Sequence, residues 1–263
     1  MGSAPMDSVT YRVPGSTSNL GSGFDTMGIA LGLYNEVSVA WNDSDRVHLR
    51  SPIDDSIRSG AEGMLRETAE LLSVATATTA PGFDAWINGD LPIARGLGSS
   101  VTVRIGVLAG LNQLMGSPLG REDIARLAAD LEGHPDNAIP SALGGFVAAG
   151  KVGGIWRWSR AELGSSMAFV TLVPEFEIRT DEARQILPDT YSREDTTHIL
   201  NRSTLVAAGF LSGQVGFLRD LFDDRVHQPY RGRLFPEFSR IVAAGVAAGA
   251  IGGWLSGSGS TVI

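Results

Sequence analysis

The sequence predicts an α+β fold in two parts, residues 1–160 and 161–263, and three observations predict it. An apolar, strand-like run, Phe83-Asp84-Ala85-Trp86-Ile87, leads through a glycine-rich loop into a helical pattern from Val101 to Met115. Phe146-Val147-Ala148-Ala149, a turn at residues 150–154 and Ile155-Trp156-Arg157-Trp158 read as a hairpin. A strongly apolar strand pattern, Met167 to Val173, then ends at Pro174 and opens the second half. The 263 residues suffice for one large domain or two modest ones around a sizeable core.

Composition removes several classes of function. The net charge of −8 argues against nucleic acid or an anionic membrane as partner. Lys151 is the only lysine, so any cationic clamp on a carboxylate or phosphate must be arginine, which suits two-pronged binding. Lys151 sits in a glycine-rich turn, a poor place for a Schiff-base lysine. With no cysteine, disulfides, thiolate metal sites and thiol catalysis are excluded. That count is compatible with the cytoplasm, the expected location. No apolar run reaches the ~20 residues that span a bilayer, and no signal peptide is legible at the N-terminus. A second methionine, Met6, suggests that the first residues are either a cloning scar or a loose leader.

In chain order, Tyr11-Arg12-Val13 reads as a short strand ended by Pro14. Gly15 to Asp25 is rich in glycine and hydroxyls. It reads either as a solvated turn cluster or as a substrate loop in which Asn19 and Asp25 orient a small polar ligand. Leu31 to Ala40 and Val47-His48-Leu49 are strand patterns, with His48 structural. Ser51 to Ser59 is a polar connection. Ala61 to Val74 places Ala61, Met64, Leu65, Ala69 and Leu72 at helical spacing.

The centre of the sequence is Pro92-Ile93-Ala94-Arg95-Gly96-Leu97-Gly98-Ser99-Ser100. Strand, glycine loop, helix is an arrangement that offers bare backbone N–H groups and a helix dipole to a phosphate. Gly96 and Gly98 admit backbone that a Cβ would forbid. Ser99 and Ser100 can cap the helix or offer hydroxyls to a phosphate or a metal. Neither the Walker A pattern nor the dinucleotide fingerprint fits, and a plain tight turn is the competing reading. In the following helix, Val101, Ile105, Leu108, Leu111 and Met115 form an apolar stripe for core packing. Arg104 either faces solvent or assists the phosphates.

Arg121-Glu122-Asp123 opens a helix that runs to about Leu131, its acidic first turn suiting the dipole. Glu132-Gly133-His134-Pro135-Asp136-Asn137 follows, then Gly144-Gly145. Metal-site logic makes Glu132 a hard oxygen donor suited to Mg²⁺; a capped helix junction is the bland alternative. Beyond Pro174, helices are expected from Thr180 to before Pro188, over Thr196 to Leu211, over Gln214 to Leu221 and over Phe238 to Ala248. Ala250 to Leu255 reads as a strand leading to the loop Ser256-Gly257-Ser258-Gly259-Ser260-Thr261.

Pro-x-x-x-Gly-Leu-Gly-Ser-Ser, here Pro92 to Ser100, resembles the nucleotide loop of the GHMP kinases. Four further stretches narrow the resemblance to the homoserine kinases and their superfamily. Pro14 to Asp25 is similar to their opening motif. Glu132 to Asn137 is similar to their Glu-Gly-His-x-Asp-Asn. Thr180 to Arg184 matches Ser/Thr-x-x-Ala-Arg, and Asp224 to Arg231 matches Asp-Arg-Leu-His-Gln-Pro-Tyr-Arg. The loop at residues 256–261 resembles the third superfamily motif, which supports the phosphate loop and the substrate pocket.

The resemblance implies a first part like ribosomal protein S5 domain 2, a ferredoxin-like second part, and an active site between them. It implies transfer of the ATP γ-phosphoryl group to the side-chain hydroxyl of L-homoserine, giving O-phospho-L-homoserine for threonine biosynthesis. Pro92, Arg95, Gly96, Leu97, Gly98, Ser99 and Ser100 would hold the nucleotide. Glu132 with Ser99 or Ser100 would hold Mg²⁺. Asn19, Asp25, His134, Asn137, Arg184, Arg231 and Gly257 would form the amino-acid pocket, with Arg231 on the carboxylate. Asn137 would lie nearest the reacting hydroxyl; it cannot serve as a base, so the proton leaves to the phosphate itself, with Asp25 and Asp136 as the other candidates. The implied partners are ATP and L-homoserine, and a homodimer is left open. A kinase for another small alcohol and an inactive nucleotide-binding relative are the alternatives.

Three departures from the family stand out. Bulky Val101-Thr102-Val103-Arg104 replaces small residues, and Ser260 replaces a proline, which loosens the turn. The sequence given ends at Ile263 inside an expected strand, where family members continue for a further helix and strand; an exposed sheet edge or apolar face is the expected consequence.

Overall fold

In the computed structural model, residues 7–165 and 167–263 are described; the scar or leader expected before Met6 lies outside them. Residues 9–161 build one six-stranded sheet with helices packed on it, and residues 180–247 add four further helices.

The sheet is organised on β2 (Met27–Trp41). One edge pairs antiparallel with β1 (Val9–Ser18). The other edge is shared in succession: Asn35–Trp41 pair with β4 (Phe83–Gly89), and Met27–Ile29 with β5 (Phe146–Val152). β3 (His48–Leu49) adds to β4 in parallel, and β6 (Ile155–Ala161) closes the hairpin with β5. β1 does not stop at Pro14, as the sequence suggested. It continues to Ser18 past an irregularity between Pro14 and Ser16. An edge strand tolerates proline because its outer side has no ladder to complete.

The first helix, α1 (Asp55–Thr76), starts six residues before the expected Ala61, inside the supposed polar connection. Asp54 caps it, accepting from the Ser56 N–H at 2.8 Å, and Asp55 suits the dipole. Its buried residues, Leu65, Thr68, Ala69 and Leu72, share one face. α2 (Ser99–Leu114) is buried nearly all round rather than along one stripe. It lies against β1 and β2, with α1 and α3 (Arg121–Glu132) also touching it. This central position explains why β-branched residues are accepted there: burial outweighs a helix propensity deficit of a few tenths of a kcal/mol per residue. α4 (Ala138–Leu143) follows directly on Asn137.

The second half departs further from expectation. α5 (Thr180–Gln185), α6 (Arg193–Ser212), α7 (Gln228–Arg231) and α8 (Phe238–Ala247) form, but residues 215–218 make only a 3₁₀ turn where a helix was expected. The strands expected at 167–173 and 250–255 reduce to two isolated bridges, Leu172 to Val262 and Leu255 to Val262. Val262 is thus paired on both sides. Val170, by contrast, is 81% exposed. Pairing is too sparse here for ladders, since a strand is stabilised by neighbours along its length.

The halves are joined by a shared core. Leu20, Met27, Ile29 and Phe146 of the first pack with Val206, Phe210, Phe222 and Trp254 of the second. Phe146 and Phe210 stack with centroids 4.7 Å apart. Among the described residues, no helix is long and apolar enough to cross a membrane.

Candidate active site

The loop between β4 and α2 lies over the end of β1 and the segment 256–261. Gly96 (φ 72°) and Gly98 (φ 68°) adopt left-handed backbone, as their residue type allows. A Cβ on Gly96 would sit 2.0 Å from the Ser256 carbonyl oxygen. The loop carbonyls are bonded to the protein. The Ser16 N–H donates to Leu97 O at 3.1 Å, the Thr261 N–H to Arg95 O at 3.2 Å, and the Ser256 hydroxyl to Gly96 O at 2.6 Å. Among the described residues, the N–H groups of Gly96, Leu97 and Gly98 have no protein acceptor. Gly98 is the N-cap of α2 and brings no side-chain cap. Ser99 and Ser100 are therefore not caps, correcting one reading of them; they occupy the first turn. Free N–H groups, an uncapped 16-residue helix and two hydroxyls make a cradle for phosphate oxygens.

Arg95 belongs to this loop, but its guanidinium turns to the second half. It donates to the carbonyls of Pro174 (3.0 Å) and Glu175 and pairs with Glu177 at 3.1 Å. Pro92 lies outside the cleft lining. The cleft itself has a volume of about 280 Å³, at the small end of ligand sites. Gly96 to Val101, Glu132 and Asn137 line it together with Asp25, Arg184 and Arg231.

Asn137 is held by residues the sequence reading passed over. Its Nδ2 donates to Ser18 Oγ at 3.0 Å, and its Oδ1 accepts from Ser16 Oγ at 2.9 Å; Ser141 Oγ donates in turn to Ser16. Ser16 and Ser18 share one face of β1 because strand side chains alternate. Reading residues 15–25 as a loop hid that period. The amide of Asn137 is thereby fixed in orientation.

Asn19, nearly fully buried, closes the loop after β1. Its Nδ2 donates to Gly257 O at 3.0 Å and its Oδ1 accepts from the Asp25 N–H at 2.9 Å. Asp25 faces Arg184 through two parallel bonds of 3.0 Å. Arg231 is 2% exposed, donating from Nε to Ala183 O at 3.2 Å and from NH1 to Gly257 O at 2.9 Å. Burial, with the nearby charge of Arg184, lowers its pKa to about 10, so it stays cationic at neutral pH. His227, fully buried beside it, has its Nε2 2.8 Å from Gly21 O. A carbonyl only accepts, so Nε2 carries the proton and Nδ1 faces Arg231 NH1 at 3.5 Å. Burial depresses the basicity of this ring, with Arg231 adding to the effect against Asp224. Phe24 lies under both cations, 5.1 Å from Arg231 and 5.8 Å from Arg184.

His134 pairs through Nδ1 with Asp136 Oδ1 at 2.6 Å. Burial alone would lower its pKa, but the bond to Asp136 and the charges of Asp136 and Asp25 outweigh burial and raise it. Ligand atoms of Asp25, His134 and Asp136 lie within 4.8 Å of one another. Arg184 already occupies both oxygens of Asp25, and Asp136 binds the Nδ1 of His134. The Glu132 carboxylate and the hydroxyls of Ser99 and Ser100 also line the cleft, and an all-oxygen set of that kind could hold a hard divalent ion. Burial raises the Glu132 pKa, opposed by the charge of Arg104. Arg104 neither faces solvent nor reaches the cleft lining; it pairs with Glu132 and Glu67.

Two sequence profiles match this chain: the GHMP kinases N terminal domain over residues 61–145 and the GHMP kinases C terminal over residues 210–263. The homoserine kinase of Moorella thermoacetica is 35% identical over 252 residues, covering 96% of this chain and 85% of that protein. The chain belongs to the GHMP kinase family. The homoserine kinase of Deinococcus radiodurans is 37% identical over 264 residues, covering 99% of this chain and 85% of the relative. The crystal structure of homoserine kinase from Cytophaga hutchinsonii superposes with a TM-score of 0.82 at 23% identity, covering 100% of this chain and 86% of that one, and bears out the two-domain GHMP kinase fold. The family implies ATP and a small-molecule acceptor as substrates, typically with Mg²⁺.

In this GHMP kinase the third glycine-rich loop is a structural brace for the phosphate loop, through Ser256 and Thr261. Ser260, where a proline was expected, does not leave the turn loose: its buried hydroxyl donates to Phe176 O at 2.6 Å.

Proposed function

We propose that this GHMP kinase transfers the γ-phosphoryl group of ATP to the side-chain hydroxyl of L-homoserine. The observation that carries the reading is one cleft in which an anion cradle meets Asp25, Arg184 and Arg231. An α-amino acid presents an ammonium and a carboxylate a fixed distance apart. A carboxylate flanked by two guanidiniums complements that pair, whereas a simple alcohol would leave it unanswered. The full-length similarity to homoserine kinases supports the same acceptor.

In this reading the N–H groups of residues 96–98 and the α2 terminus bind the nucleotide phosphates. Glu132, Ser99 and Ser100 hold Mg²⁺, which when bound neutralises charge on the phosphates. Arg231 and Arg184 orient the amino-acid carboxylate, Asp25 its ammonium, and His134 shapes the pocket beside them. Asn137, fixed by Ser16 and Ser18, positions the hydroxyl. Catalysis is then positioning plus electrostatic stabilisation. An amide cannot take the hydroxyl proton at neutral pH, so that proton passes to a phosphoryl oxygen. The two parts of the kinase divide near residue 160, where β6 ends, with the cleft between them.

The test is ADP release by the purified chain with Mg²⁺-ATP and L-homoserine, D-homoserine, L-serine, mevalonate, shikimate or no acceptor. Turnover selective for L-homoserine is expected. Turnover with mevalonate or shikimate alone would replace the acceptor. Silence with every acceptor, from folded protein that still binds ATP, would favour an inactive relative.

A further inference from the structure

Arg104 is a cation placed where its charge reaches the phosphate side of the cleft only through another side chain. It stands on α2, one turn beyond Ser100, and its side chain is 13% exposed. Nε lies 3.0 Å from Glu132 Oε1 on α3, and NH2 lies 2.9 Å from Glu67 Oε2 on α1. Glu132 lines the cleft; Arg104 does not. The guanidinium therefore lies behind the carboxylate. Its shortest contact with Glu132 is to Oε1, an ion pair rather than an aligned hydrogen bond. Among the described residues, the Glu132 side chain makes no other ion pair or side-chain hydrogen bond. Glu67, 57% exposed, anchors the far end of the fork. Arg104 Nε and NH1 are both buried without a well-aligned hydrogen-bond acceptor, so the guanidinium meets Glu132 as an ion pair and has not been placed to satisfy its own donors.

The geometry points to Arg104 as a positioning residue for the cation site: its ion pair, made from behind the cleft wall, holds the Glu132 carboxylate where it serves the divalent ion. This rests on Glu132 being a metal donor in the proposed kinase. A carboxylate held by an outer partner binds metal better than a free one, and loss of such a partner costs about 10–100-fold in metal affinity. The opposite effect has a physical basis too. A guanidinium beside the site repels a divalent cation and competes for Oε1, so its removal would tighten binding. The two accounts differ in sign.

The experiment measures binding of a non-hydrolysable ATP analogue, with and without Mg²⁺, by calorimetry. The readout is the gain in affinity that Mg²⁺ confers. Arg104→Met is expected to reduce that gain about tenfold or more, leaving Mg²⁺-free binding unchanged. Arg104→Lys should recover part of it, since the charge remains and the fork is lost. The KM for Mg²⁺ should rise in Arg104→Met while the KM for the acceptor does not. Should Arg104→Met fail to fold, Arg104→Gln is measured in its place, with the same loss expected. A gain equal to wild type in the folded variant, or a larger one, would overturn the inference. Glu132→Gln separates the two readings. If it keeps the full gain, Glu132 is not the metal donor and the magnesium assignment falls. If it loses the gain while Arg104→Met and Arg104→Gln keep it, only the role of Arg104 falls.

Discussion

Arg184 and Asp25 hold each other by two parallel hydrogen bonds of 3.0 Å, one to each carboxylate oxygen, across 159 positions of sequence. The pair joins α5 of the second half to the loop after β1. Its members are 40% and 32% exposed, so a ligand can reach both. A zwitterion entering between the halves meets a matched positive and negative group.

The first prediction follows from that pair. Arg184→Ala should raise the KM for the acceptor about ten- to a hundredfold, the scale of one lost charge-assisted contact of about 1.5–3 kcal/mol. Affinity for the ATP analogue should change little, because the nucleotide cradle is separate. An unchanged acceptor KM would remove Arg184 from the pocket.

Glu132→Gln should lower turnover by on the order of a hundredfold or more, the scale of one lost electrostatic contact at a transferred group. Stability should not fall comparably, since the neutral amide still fits a site where burial disfavours the charged form. Initial rates and thermal melts on the same sample decide it. Unchanged turnover would take Glu132 out of the mechanism.

Gly96→Ala should damage nucleotide binding and stability together. The left-handed backbone costs a residue with a Cβ about 1–2 kcal/mol, and the new methyl would meet the Ser256 carbonyl, held by backbone rather than a movable side chain. A variant with wild-type melting and wild-type ATP affinity would show that the two loops are not braced as described.

Ser18→Ala should lower kcat more than it raises the acceptor KM. The hydroxyl accepts from Asn137 Nδ2, and its loss leaves the amide held by Ser16 alone. An equal kcat in steady-state assays would mean that Asn137 needs no fixing by Ser18.

His227 makes stability depend on pH. Its folded-state pKa lies below the ordinary value of 6.5, chiefly through burial, so folding favours the neutral ring. That contribution is complete above pH 6.5 and is lost as pH falls from there through the depressed native value. Ring ¹⁵N NMR should show a neutral imidazole protonated on Nε2 at pH 6.5, while the melting temperature declines on further acidification. A native midpoint at or above 6.5 would refute the assignment.

Much of the cleft was legible because its residues come in runs. The glycine loop, Glu132 to Asn137, and the arginines at 184 and 231 are marked by neighbours in the chain, and the cleft brings them together. Cysteine count, charge and the single lysine likewise bounded the chemistry before any contact was known. The α2 helix was placed within two residues at its start, since strand, glycines and an apolar helical run have local causes. Strand ladders at 167–173 and 250–255 were not foreseeable as absent: an apolar run states that burial is favourable, not which neighbour provides it. Ser16 and Ser18 became anchors of Asn137 only once β1 was seen to run on past Pro14. Arg104 offered solvent or phosphate as destinations, and packing of α1, α2 and α3 around it chose neither. Motif chemistry depends on residues adjacent in the chain, whereas the partner of a buried charge depends on which helices meet, and that is settled by the packing of the whole core.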